Sequence, residues 1–198
     1  MMKRILLAGI LGGIAMFVWS SVAHLALPLG RVGIGEIPSE QAVLATMKAQ
    51  LGGASGMYVF PGMGLGPNPT RQQQNDAMQA YAQKLAVNPS GLLIYHPPGA
   101  KAMTPGQLMT EFLIELLEAV ILAFLLGQTR LTGFLSRLGL ATLVGIVAAV
   151  TTNLPYWNWY GFPGNYTAAY MTIQVVDYIV AGTVAAMVLK NASGAARA

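Results

Sequence analysis

The chain has 198 residues, 55% of them hydrophobic and 9% charged, with a net charge of +4 and no cysteine. A soluble globule of this size carries about a quarter charged residues, so the composition points to an integral membrane protein. Disulfides, thiolate nucleophiles and Cys-ligated zinc or iron-sulfur centres are excluded, and the scattered or span-flanking basic residues are membrane anchors rather than a nucleic-acid surface.

MMKR opens the chain and an apolar run from Ile5 to Leu27 follows, long enough for a membrane helix of roughly 20 residues. Ser21-Val22-Ala23 would pass as a signal-peptide cleavage site. The run nevertheless outlasts an h-region of about 7 to 15 residues, so residues 1–27 are expected to remain as the first span. Gly9 and Gly13 form a GxxxG, whose plain reading is close packing inside the bundle rather than a dimer seam.

Residues 28–103 are too long for a structureless loop, and a small extracytoplasmic α+β module is expected there, resting on the outer membrane surface. SEQAVLATMKAQL predicts a helix capped by Ser39, with Val43, Leu44, Met47 and Leu51 on one face. GMYVFPG and GLLIYHPPG read as strands closed by Pro and Gly. Between them, TRQQQNDAMQAYAQKLAV predicts a polar helix with a narrow stripe of Met78, Tyr81 and Leu85.

Residues 104–198 hold three further spans, about Met109 to Leu126, Leu138 to Leu154 and Thr167 to Leu189. Thr104, Pro105 and Gln107 form a capping box at the start of the second span. On the third span, Ala141, Gly145 and Ala149 repeat the small-residue spacing, and Pro155 is expected to end the helix. Residues 155–166 then form an outer aromatic link, with Tyr156, Trp157, Trp159 and Tyr160 as an interfacial belt. Lys3, Arg4, Arg130, Arg137, Lys190 and Arg197 all fall on one side of a four-span chain, which places both termini in the cytoplasm. The expected fold is therefore mainly α: a four-helix transmembrane bundle, N-in and C-in, with the module between its first two helices.

In GGIAMFVWSSVAHLALPLG and LPYWNWYGFPG the chain resembles a family of small bacterial inner-membrane proteins with four predicted spans. The resemblance implies a bacterial inner-membrane location and brings no activity with it.

The chemistry lies in the acids. Glu111, Glu115 and Glu118 are four and three residues apart, one stripe down a helix, and Tyr170, Gln174 and Asp177 repeat that spacing on the fourth span. Glu118 lies 12 residues before Arg130 and Asp177 lies 13 before Lys190, about 18 to 20 Å from the inner side, so the two are expected at one level. His24 and Glu111 fall nearer the outer rim, and Asn153 lies between these levels. One polar cluster fed by all four helices is the expectation.

An ionised carboxylate at mid-bilayer costs about 2.5 to 3.5 kcal/mol, so these acids must be protonated, hydrated or bound to a cation. The plainer alternative is a hydrogen-bonded cluster that sets helix register, with Glu111 in the interface and Glu115 turned outward. No Glu-x-x-His pair or second intramembrane histidine completes a metal site around His24, and no nucleophile triad or phosphate loop is present, so no catalytic residue, metal or cofactor is assigned. The leading reading is a non-enzymatic accessory membrane protein whose partners are the bilayer and another membrane protein. The alternative is a proton- or cation-linked carrier, and a metal-dependent membrane enzyme comes third.

Overall fold

The computed structural model describes the backbone of residues 1–194 and the side chains of residues 1–189. Arg197 and the side chain of Lys190, both expected as inner anchors, lie outside the described residues. In chain order the elements are α1 (Met2–Ser21), continued by a π-helical turn (Val22–Ala26) and a 3-10 turn (Pro28–Arg31), then α2 (Glu40–Leu51), β1 (Gly56–Phe60) and α3 (Arg71–Val87). They continue with β2 (Gly91–Tyr95), α4 (Pro105–Gln128), α5 (Phe134–Tyr160) and α6 (Gly164–Gly194). Contacts divide the chain into a helical unit, Met1–Ile34 with Ala102–Ala198, and a second unit, Gly35–Lys101.

Within the helical unit, α1 packs between α4 and α6, and α5 packs on α6. Small residues line these contacts: Ala8, Gly9, Gly12 and Gly13 of α1 are buried, as are Ala119 and Ala123 of α4, Ala141, Gly145 and Ala149 of α5, and Ala181 and Ala185 of α6. Met16, Leu122 and Leu126 join them in the core, but many of the large apolar side chains point the other way. Val18 is 57% exposed, Leu117 60% and Val147 62%. A bundle in water buries its large apolar face and exposes charge, so this inverted arrangement fits hydrocarbon as the solvent.

Among the described residues three helices, not the expected four, are long and apolar enough to cross a membrane: Met2–Ala26, Phe134–Tyr160 and Gly164–Leu189. α4, with 24 residues, is long enough, but every stretch of 18 residues within it holds all of Glu111, Glu115 and Glu118. The carboxylates that make this helix interesting are what remove it from the apolar class. Its start is as expected: Thr104 N–H donates to Gln107 Oε1 at 2.7 Å, and Gln107 N–H donates to Thr104 Oγ1 at 3.2 Å.

Pro155 does not end its helix. It lies inside α5, which runs on to Tyr160 and stops at Gly161, where φ is +69° and Phe162 N–H donates to Tyr156 O at 3.4 Å. Proline removes one backbone hydrogen bond, which a membrane-type helix tolerates, whereas a left-handed glycine reverses the chain and satisfies a terminal carbonyl. The expected aromatic link of residues 155–166 is thus split between the end of α5 (155–160) and the start of α6 (164–166), and only Gly161, Phe162 and Pro163 separate the two helices.

In the second unit β1 and β2 pair antiparallel, with Tyr58 opposite Leu93. Tyr95 is buried, and its hydroxyl donates to Gly52 O at 2.9 Å. α3 begins with a Thr70 and Gln73 capping box. Of its expected stripe only Tyr81 is half-buried, joined by Ala77; Met78 and Leu85 are exposed. Ser39 occupies the N-cap position of α2 but makes no capping bond, because its backbone is left-handed at φ +56° and ψ +41°. Residues 28–34 pack with the helical unit rather than with this one.

Candidate functional site

Glu111, Glu115 and Glu118 share one face of α4, yet packing gives each different surroundings. Glu115 is only 5% exposed and faces the Ser20 hydroxyl of α1. It is therefore the innermost of the three, and the alternative that turned it outward is corrected: the face carrying Ala119 and Ala123 also carries Glu115 into the α1 contact. Glu118 is half-buried and faces the Tyr178 hydroxyl of α6. Glu111 is exposed and lines a cleft of about 320 Å³ with Phe17, Ser20, His24 and Leu108.

Asp177 approaches from α6 and is 9% exposed. It lies within electrostatic reach of all three glutamates, with Glu115 the strongest influence, then Glu118, then Glu111. Glu115, rather than the expected Glu118, is thus the foremost charge neighbour of Asp177. Among the described residues Oε2 of Glu115 and Oδ1 of Asp177 are buried with no hydrogen-bond partner.

His24 stands on the π-helical turn, a widened backbone that is frequent at functional sites. Its Nδ1 is 2.9 Å from Ser20 O, and its ring meets Tyr170 edge-on at 5.9 Å. Tyr170 stacks on Tyr166 at 4.3 Å, Tyr166 meets Phe162 edge-on at 5.5 Å, and Phe162 stacks on Tyr156 at 5.3 Å, with Tyr160 tilted beyond. A continuous run of rings thus connects the end of α5 to His24. Trp157 and Trp159 are exposed and stand outside it.

The single polar cluster expected from all four helices is divided. Asn153 of α5 donates to Gln174 Oε1 of α6 at 3.0 Å and to Ala149 O in its own helix at 2.9 Å. α5 makes its principal contact with α6 and little with α4, and its Asn153 bonds to Gln174 rather than to a carboxylate. Ser20 and Tyr178 carry no motif of their own in the sequence. Ser20 precedes His24 by four residues and so shares its face, and Tyr178 adjoins Asp177; both positions were available signals.

Two buried acids on adjacent helices, each with an unpartnered oxygen and no basic residue among the groups acting on them, form a site that can hold a proton or a small cation. Among the described residues no three His, Asp or Glu side chains are placed to hold a metal ion. No protein-family model, no curated protein and no solved structure matches the chain.

Proposed function

We propose that this is a multi-pass protein of the bacterial inner membrane that accepts a proton or small cation at Glu115 and Asp177, with the His24 and Glu111 cleft as its entrance. In this reading α4 crosses the bilayer alongside the three apolar helices, both termini are cytoplasmic, and the unit of residues 35–101 is extracytoplasmic. The observation that carries it is the pair of buried, unpartnered carboxylate oxygens, Glu115 Oε2 and Asp177 Oδ1, on helices whose outer faces are apolar. A cluster serving helix register alone would leave no buried acid oxygen unbonded, whereas beside the Ser20 and Tyr178 hydroxyls Glu115 Oε2 and Asp177 Oδ1 still lack a partner.

Reconstituted vesicles with an internal pH indicator test the reading under imposed proton, sodium and potassium gradients. Wild-type flux should exceed that of protein-free vesicles, and E115Q and D177N should each remove it. Wild-type vesicles no more permeable than empty ones, or variants as active as wild type, would overturn it.

A second reading, an accessory subunit, is favoured by a separate feature. The unit of residues 35–101 bears an apolar groove of about 560 Å³ lined by Leu44, Met47, Leu93 and Ile94, a surface suited to a protein partner. Here E115Q and D177N should leave co-purification of that partner intact, while L44D should abolish it.

A further inference from the structure

The opposite end of the helical unit from His24 holds a cleft of about 260 Å³ where α1 begins and α4 ends. Arg4, Arg130 and Arg137 all line it, and no acidic residue does. Arg137 is 7% exposed. Its Nε donates to Leu131 O at 2.9 Å, while its Nη1 is buried without a hydrogen-bond partner among the described residues. Nη1 of Arg4 is in the same condition. Two guanidinium groups from different helices thus bring unmet donors to one cleft.

Buried donors of a permanent cation are costly when unmatched, and a planar guanidinium matches the oxygens of a phosphate. Among the described residues of the helical unit, no acidic side chain lines this cleft to supply a counter-charge. Of the chain's seven acidic side chains, Glu36, Glu40 and Asp76 belong to the unit of residues 35–101, and the other four form the carboxylate site. The walls are apolar, with Leu126, Leu131 and Leu189 beside the arginines. Cations set in an apolar rim between helix ends suit an amphiphile whose phosphate enters the cleft while its chains lie against the helices.

We infer that Arg4, Arg130 and Arg137 bind a phosphate group, that of an anionic phospholipid, in the cleft between the start of α1 and the end of α4. This site is separate from the carboxylates and does not depend on their role.

The full-length protein, purified in mild detergent, is titrated with phosphatidylglycerol, with phosphatidylcholine and with sodium phosphate, and read by native mass spectrometry and thermal unfolding. Phosphatidylglycerol should remain bound and raise Tm, phosphatidylcholine should do neither, and R4Q and R137Q should each weaken binding by roughly tenfold or more. A shift reproduced by sodium phosphate without lipid supports the phosphate site and assigns it a soluble anion. Should R137Q fail to fold, R4Q and the exposed R130Q carry the test. Equal retention of both lipids with no response to phosphate, or undiminished binding in the variants that fold, would overturn the inference.

Discussion

Gly13 of α1 lies against the backbone of Leu116 in α4, so closely that a Cβ on the glycine would fall 2.7 Å from the Leu116 Cα. One turn earlier, a Cβ on Gly9 would fall 2.7 Å from the Val120 Cα. This approach brings Ser20 to Glu115, because the same two helices carry both residues. Backbone cannot yield as a side-chain tip can, so G9A and G13A should each destabilise the bundle by about 1 to 3 kcal/mol. G139A meets nothing within 4 Å and should leave stability unchanged or raise it by up to about 1 kcal/mol through helix propensity. Unfolding titrations in mixed detergent would read the difference, and equal stability of G13A and G139A would show that the helices do not pack this way.

The Asn153 to Gln174 bond ties α5 to α6 at 3.0 Å. Interhelical hydrogen bonds in membranes average about 0.6 kcal/mol and reach about 1.7 kcal/mol, so N153A and Q174A should cost that much. The double variant should cost less than the sum, because Gln174 has already lost its partner in N153A. Strict additivity in the cycle would mean that the two side chains do not interact.

At the carboxylates the order of sensitivity follows burial. E115Q and D177N should each lower ion flux more than tenfold while leaving the fold intact, since an amide fills nearly the same volume and needs no counterion. E111Q should lower it less, because Glu111 is exposed and water can take its place in the cleft. Flux measurements on the three variants in parallel would settle the order, and a larger loss in E111Q than in E115Q would reverse the assignment of roles.

Gly161 closes α5 with a left-handed backbone at φ +69°, so G161A should cost about 1 to 2 kcal/mol while G161N should cost less. P155A should preserve the helix, since Pro155 already lies within it. Circular dichroism of the purified variants would test this, and a gain of helix in P155A would restore proline as the structural boundary.

Much of the helical unit could be read in advance because its signals are local. The Thr104 and Gln107 box starts α4 where expected, and the four-residue spacing of Gly9 with Gly13 and of Ala141, Gly145 and Ala149 marks the faces that are buried. Both strands of the second unit fall where short apolar runs meet Gly and Pro. Pro155 and Ser39 show the limit of such rules. Each residue type names a boundary by its usual chemistry, but Gly161 stops the helix that Pro155 does not, and the left-handed backbone of Ser39 leaves α2 without its cap.

Composition and periodicity by themselves determined that the chain is mainly helical, that it carries helices apolar enough to cross a membrane, and that the acids of α4 lie on one face. Those properties depend on each residue and its neighbours within a few turns. Which acid is buried, which helix faces it and which arginines share a cleft were decided only by tertiary structure, because they depend on the rotation and order of helices far apart in the chain. α1 packs on both α4 and α6, so Glu115 faces Ser20 and lies within electrostatic reach of Asp177 while Asn153 is left to Gln174, and no spacing within a single helix encodes that order.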